Sequence, residues 1–228
     1  MAADLVRIAA RERCRAVLIA GDVKHPIVGT PPALRRVVFD FFSTLLSEDL
    51  EVEVVLGNHD VGLEPHVPRE VRIHPASGLV RDGVGLFHGH RWPSAAVLRA
   101  PRLVVGHLHP GLRLAPTGEH GPEKQRGWVR VSIDPAPPTK RRPPRVRARE
   151  VVVLPAFNPL AGVESLNREK PRRGRSFLFR RFVLLGRARM YLLDGTDVGE
   201  VVSPRSPGPS GSPPRARSRR RSAVDTGH

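Results

Sequence analysis

The stretch "RAVLIAGDVKH", residues 15–25, decides how this chain is read. An apolar run from Val17 to Ala20 meets a glycine, and then an aspartate and a histidine stand three positions apart, where a buried strand gives way to a loop. Taken alone, the stretch has two readings. Gly-Asp after a strand is ordinary turn chemistry and a loop histidine is ordinarily solvated, so it is either a turn or half of a metal site.

The pattern repeats downstream. "VEVVLGNHD" (52–60), "GVGLFHGH" (83–90) and "RLVVGHLHP" (102–110) are each an apolar, mostly β-branched strand that delivers Asp, Asn or His at its carboxyl end. In α/β sheets the crevice outside the carboxyl ends of the strands is where sites form. One such strand can arise by chance, whereas four in order form a constellation. The donors suit two adjacent divalent cations: Asp22 offers a carboxylate that can bridge, Asn58 a neutral amide oxygen, and His88, His107 and His109 imidazole nitrogens. That mixture of hard and borderline ligands favours Mn, with Fe or Zn as alternatives, over Ca. On an extended chain the spacing in "GHLH" points both rings to one face, one for each of two neighbouring ions.

These residues resemble the calcineurin-like metallophosphoesterases, whose pattern runs D-x-H, G-D-x-x-[DH], G-N-H-[DE], a His, and G-H-x-H. "GDVKH", "GNHD", "FHGH" and "GHLH" match the last four elements in order, within residues 1–135. "VVVLPAFNPLAG" (151–162) looks like the C-terminal part of an archaeal-type branch related to the SbcD-like DNA-repair nucleases. The resemblance implies an α/β fold, a two-sheet β-sandwich flanked by helices. It also implies that Asp22 bridges two metals, that Asn58, His88 and His107 complete the second, and that His109 binds the first. His59 would protonate the leaving oxygen, with Asp60 orienting its ring, since a carboxylate on one imidazole nitrogen fixes the tautomer and raises basicity. His25 fits the last position of the second motif, which lies beside the phosphodiester in the nuclease-like branch; the alternative is a plain loop histidine. His90 either contacts substrate or caps a strand end. His66, His74 and His120 have no motif around them and read as surface residues.

The family's first motif has no match, because Asp4 is followed by Leu5 and Val6. Residues 2–14 read as the helix that would follow the missing strand, with Leu5, Ile8 and Ala9 as its apolar face. The first metal is then left with Asp22 and His109 and is expected to bind weakly, while the second keeps a full set. A start assigned too late and a true truncation both account for this, and the codons upstream of Met1 distinguish them. Further on, Leu34, Val37, Val38, Phe41, Phe42, Leu45 and Leu46 recur at helical spacing behind Pro31 and Pro32, which predicts a core-facing helix.

Composition bounds the function class. The 228 residues are 39% hydrophobic, enough to bury a good core in one domain or two. A single cysteine, Cys14, excludes an internal disulfide. With no apolar run of membrane-spanning length and no signal-like segment, a cytoplasmic protein off the membrane is expected. The formal charge of +16 is unevenly spread: residues 1–135 carry 17 Lys and Arg against 15 Asp and Glu, and residues 136–228 carry 21 against 7. The excess lies downstream, where two stretches are low in complexity, "PAPPTKRRPPRVRARE" (135–150) and "SPRSPGPSGSPPRARSRRRS" (203–222). Proline and arginine at that density cannot form a core, so the expected organisation is a domain over 1–202 with a basic Pro-rich insertion near 135–150, then a disordered basic tail over 203–228. "REVVVLPAF", "SFLFRRFVLL" and "RARMYLLDG" read as strands that finish the domain. The tail is either a solvated extension or a nonspecific phosphate-binding arm for DNA or RNA.

The function expected is metal-dependent hydrolysis of phosphoesters, with nucleic-acid phosphodiesters favoured as substrate. Two alternatives remain: a phosphatase for small phosphoesters, and a non-catalytic nucleic-acid-binding protein with an incomplete metal site. The sequence carries no sign of oligomeric state.

Overall fold

The computed structural model describes residues 1–113, 124–133, 147–166 and 186–200. The tail 203–228, the strand expected over "SFLFRRFVLL", His120 and most of the basic stretch 135–150 lie outside the described residues.

The chain opens with helix α1 (Ala2–Glu12), which ends where Arg13 turns left-handed, with φ 55°. Leu5, Val6 and Ala9 form its inner face, while Ile8, expected there from its spacing, is 39% exposed. Strand β1 (Ala16–Ile19), helix α2 (Pro32–Leu46) and strand β2 (Glu51–Val55) make a βαβ unit, and β3 (Arg72–His74) adds to the far side of β2. All pairings in this three-stranded sheet are parallel. Pro32 starts α2 as expected, where a missing N–H is harmless. Val38, Phe42 and Leu45 are buried and Leu34, Phe41 and Leu46 pack beside them. Val37 departs from the expected stripe: it stands at one margin of the apolar arc and is 62% exposed.

The second sheet is larger. It contains β4 (Leu79–Arg81), β5 (Val84–Phe87), β6 (Arg102–Val105), β7 (Pro110–Arg113), β8 (Lys124–Ile133), β9 (Glu150–Val153), β10 (Glu164–Ser165), β11 (Gly186–Leu192) and β12 (Asp197–Glu200). The order is β10-β7-β8-β9-β6-β5-β4, with β11 and then β12 branching from β8. Strands β5, β6 and β9 run parallel, so β5 and β6 deliver their ligand residues at the same end. Helix α3 (Ala95–Arg99), capped by the Ser94 side chain on the Val97 N–H, crosses between β5 and β6.

Each sheet has its own core. Val52 and Val54 of β2 face Phe42, Leu45 and Leu63, while Phe87, Leu103, Val129, Val131, Val151, Val153 and Met190 fill the larger one. Among the described residues, polar contacts join the sheets in two places, between β2 and β4 and at the strand ends of the site. Glu53, 6% exposed on the other face of β2, accepts from Arg72 (3.0 Å), His74 (2.6 Å) and Arg81 of β4. His74 is therefore part of an inter-sheet network and not the plain surface residue its surroundings in sequence suggest. The second contact, between Ala20 and His88, lies at the site itself. Two sheets with helices against them bear out the expected α/β architecture. Among the described residues no helix is long and apolar enough to cross a membrane.

Candidate metal centre

Beyond β1 the backbone bends sharply. Gly21 has φ 87° and Asp22 φ 59°, a left-handed pair that aspartate tolerates better than a branched residue. A Cβ on Gly21 would stand 2.7 Å from both the Gly57 nitrogen and His88 Nδ1, so only glycine fits where the loops close on one another. Beyond β2, Gly57 is under the same constraint: a Cβ there would fall 2.5 Å from the Asp22 nitrogen.

Asp60 joins the two loops. It is 1% exposed, and its carboxylate accepts the backbone N–H groups of Asp22 (2.7 Å), Gly57 (2.8 Å) and Val23 (2.8 Å). This corrects the role inferred from the resemblance. The Asp60 carboxylate is taken up by three backbone donors, and it is the His25 carbonyl that meets His59 Nδ1. A carbonyl only accepts, so the His59 proton is on Nδ1. The His59 backbone N–H in turn donates to Asp22 Oδ1 at 3.0 Å.

His88, at the end of β5, is 1% exposed and its Nδ1 meets the Ala20 carbonyl at 2.6 Å. That bond places the ring proton on Nδ1 and leaves a lone pair on Nε2. Around Nε2 stand His107 Nδ1 (3.0 Å), Asn58 Oδ1 (3.2 Å) and Asp22 Oδ2 (3.2 Å). Even a proton on His107 Nδ1 would satisfy one of these acceptors and no more. Half-buried lone pairs converging on a buried imidazole with too few donors are unfavourable unless a cation sits among them. Asp22, His88 and His107 each offer a ligand atom within 4.8 Å of the others, and Asn58 lies beside them.

The electrostatics fit the same occupant. With a second proton on His88, at Nε2 where the cation would sit, the His88 hydrogen bond and charge, helped by His59, outweigh the burial that pushes the Asp22 carboxyl up and bring it down to about 2. Burial pushes the His107 imidazole down to about 4, and the same second proton on His88 adds to the effect. At neutral pH one is an anion and the other an uncharged base, the states in which they bind metal.

His107 and His109 do not lie on an extended chain as their spacing suggested. Their φ angles are 62° and 50°, and the i, i+2 argument for a shared face does not apply. His109 stands outside the three-residue group, and its Nδ1 donates to the Gly162 carbonyl at 3.1 Å. The "VVVLPAFNPLAG" loop thus returns to the ligand-bearing strand ends. His90 lies with its ring 5.3 Å from that of His88, and its buried Nδ1 has no hydrogen-bond partner among the described residues. Burial, then the His88 and Arg91 charges, lower its pKa. His25 is exposed, its ring 5.9 Å from that of His59. His66 is half-buried in a 3₁₀ turn (Glu64–His66).

One residue of these loops was missed from sequence. Lys24 is 2% exposed, with its ammonium turned onto carbonyls of its own loop. A lysine between Val and His in a Gly/Pro-rich stretch reads as solvated, and no local pattern marks it as buried.

No protein-family model matches the chain, and no curated protein matches it. Among solved structures, the crystal structure of the Pseudomonas putida nuclease MPE is similar, with a TM-score of 0.51 at 21% identity over 84% of this chain and 73% of that one. This chain shares its fold with that nuclease.

Proposed function

We propose that this chain is a metal-dependent phosphoesterase, a hydrolase of phosphoester bonds with nucleic-acid phosphodiesters as its substrate class. The observation that carries the proposal is the His88 Nε2 lone pair facing Asp22, Asn58 and His107 with no donor adequate to them. The fold shared with a nuclease supports the substrate class.

Asp22, Asn58, His88 and His107 would hold one divalent ion, and two imidazoles, a carboxylate and an amide suit Mn, Fe or Zn. Asp22 and His109 would hold a second ion weakly. A bound ion supplies positive charge to a phosphoryl group and lowers the pKa of water beside it. The chain's own part is orientation and proton transfer. Asp60 locks the two loops that carry Asp22 and Asn58. His59, with Nδ1 occupied by the His25 carbonyl, keeps Nε2 for donating a proton to the leaving oxygen. His90 and His25 flank the centre as substrate contacts.

The experiment compares Asp22→Ala and His59→Ala with the parent chain, loaded with Mn, on an activated aryl phosphodiester and on an alkyl diester with a poor leaving group. Asp22→Ala should lose both activities. His59→Ala should retain its metal and lose the poor-leaving-group substrate selectively, by roughly 10²-fold or more. Metal binding without turnover of either ester in the parent chain would reject hydrolysis and favour a nucleic-acid-binding role.

A further inference from the structure

A buried ammonium is strongly unfavourable unless its donors are satisfied. Lys24, which the chemistry above leaves without a role, is 2% exposed. Its Nζ finds the carbonyls of Pro26 (2.7 Å), Gly29 (3.2 Å) and Ile27 (3.5 Å), all in one irregular loop. The far end of that loop is tied to α2 by Arg35 Nε, which donates to the Thr30 carbonyl at 2.7 Å. The apolar side chains at its tip lie outside the core, with Ile27 52% and Val28 88% exposed. Between Val23, held by Asp60, and Thr30, held by Arg35, the lysine secures the loop from within.

The consequence falls on His59. The carbonyl that meets His59 Nδ1 belongs to His25, the residue between Lys24 and the first carbonyl its ammonium grips. We propose that Lys24 is a positioning residue: its ammonium fixes the loop so that the His25 carbonyl holds the His59 ring in one orientation, with a proton on Nδ1. The inference rests on the role of His59 as the acid. In the proton-transfer step the imidazolium gives its Nε2 proton to the leaving oxygen as the P–O bond breaks. Nδ1–H stays on the carbonyl throughout, so no tautomer change is needed between turnovers. A carbonyl partner adds no charge, and Lys24 acts on where the ring points.

Two measurements on the full chain test this. The first is the ¹⁵N spectrum of the histidine rings, which reports the tautomer without any need for turnover. The parent chain should show His59 protonated at Nδ1, and Lys24→Met should show a mixture of tautomers. An Nε2-protonated His59 in the parent, or an unchanged spectrum in Lys24→Met, overturns the proposal; where Lys24→Met does not fold, Lys24→Gln, which keeps donors for the loop carbonyls without the charge, is read in the same way. The second measurement uses the two esters on the Mn-loaded chain. Lys24→Met should keep its metal content and lower kcat on the poor-leaving-group diester about tenfold, short of the ~10²-fold or more expected for loss of the acid itself. Its KM should change little, and in a His59→Ala background it should add nothing. Equal loss on both esters, or loss of metal, would make Lys24 a structural residue and overturn the proposal. If His59→Ala has no leaving-group dependence, the acid role fails separately, and the ring spectrum still judges the loop.

Discussion

The carboxylate of Asp60 accepts the backbone N–H of Asp22 at 2.7 Å, across 38 residues of chain. The same side chain accepts from Val23 and Gly57, so it sets the distance between the loop that carries Asp22 and the loop that carries Asn58. Asp60→Ala strands three N–H groups, each worth about 1–3 kcal/mol when left without a partner. The expected loss is about 3 kcal/mol or more, which at roughly 2–4 °C per kcal/mol lowers the melting temperature by about 10 °C. Metal affinity should fall with it. A normal melt with full metal content and slow turnover would instead support the pairing of Asp60 with the His59 ring.

Much of this centre was legible in sequence because it lies at strand ends. Val52, Val54, Leu103 and Val105 announce their strands by apolar runs, and Asn58 and His107 follow at once because the strand stops there. The backbone beyond the strands was not legible. Left-handed Asp22, His107 and His109 carry no sequence mark of the kind glycine gives, and this is why the extended reading of "GHLH" failed. Partner choice was hidden for the same reason. The donors to Asp60 and the carbonyls around Lys24 are backbone groups, which every sequence supplies alike.

Gly57 tests the closeness of the loops directly. Gly57→Ala puts a Cβ 2.5 Å from the Asp22 nitrogen, against backbone that cannot swing aside as a flexible side chain can. Overpacking of this kind costs about 1–3 kcal/mol. Because the displaced residue is Asp22, bound metal should fall further than stability does. Elemental analysis after dialysis alongside a thermal melt checks this, and full metal content in a destabilised variant would count against it.

The division of ligands sets the stoichiometry. The chain should retain about one equivalent of Mn or a similar ion tightly and a second weakly, because His109 lies outside the group of Asp22, His88 and His107. Asn58→Ala and His107→Ala should each reduce the tight equivalent, and His66→Ala should not. Titration calorimetry on metal-free protein gives the count. Two tight ions, or equal occupancy in all three variants, would refute the assignment.

Glu53 should govern stability without touching the centre. Its carboxylate serves Arg72, His74 and Arg81 and links β2 to β4. Glu53→Ala should cost about 3 kcal/mol, the low end for breaking a buried pair, since the Arg72 side chain is 57% exposed and can rehydrate. Below its melting temperature the variant should bind Mn as the parent does. A variant that melts normally would mean that the two sheets are held together without this network.

The last prediction concerns residues 203–228, which lie outside the described residues and are dense in proline, serine and arginine. Such a composition offers no apolar run to pack against the centre, so deleting the segment should leave hydrolysis of a small aryl diester unchanged. Duplex DNA is a different substrate. Each Arg–phosphate contact releases counterions and steepens the fall of affinity with salt, by roughly 0.9 in log–log slope per neutralised phosphate. The shortened chain should therefore bind DNA more weakly and with a flatter slope, measured by fluorescence anisotropy across a salt series. A weaker affinity at unchanged slope would point to a change in the domain, because losing cationic contacts must reduce both. An unchanged affinity and slope would mean that the arm makes no phosphate contacts, and that any hold on nucleic acid comes from the domain alone.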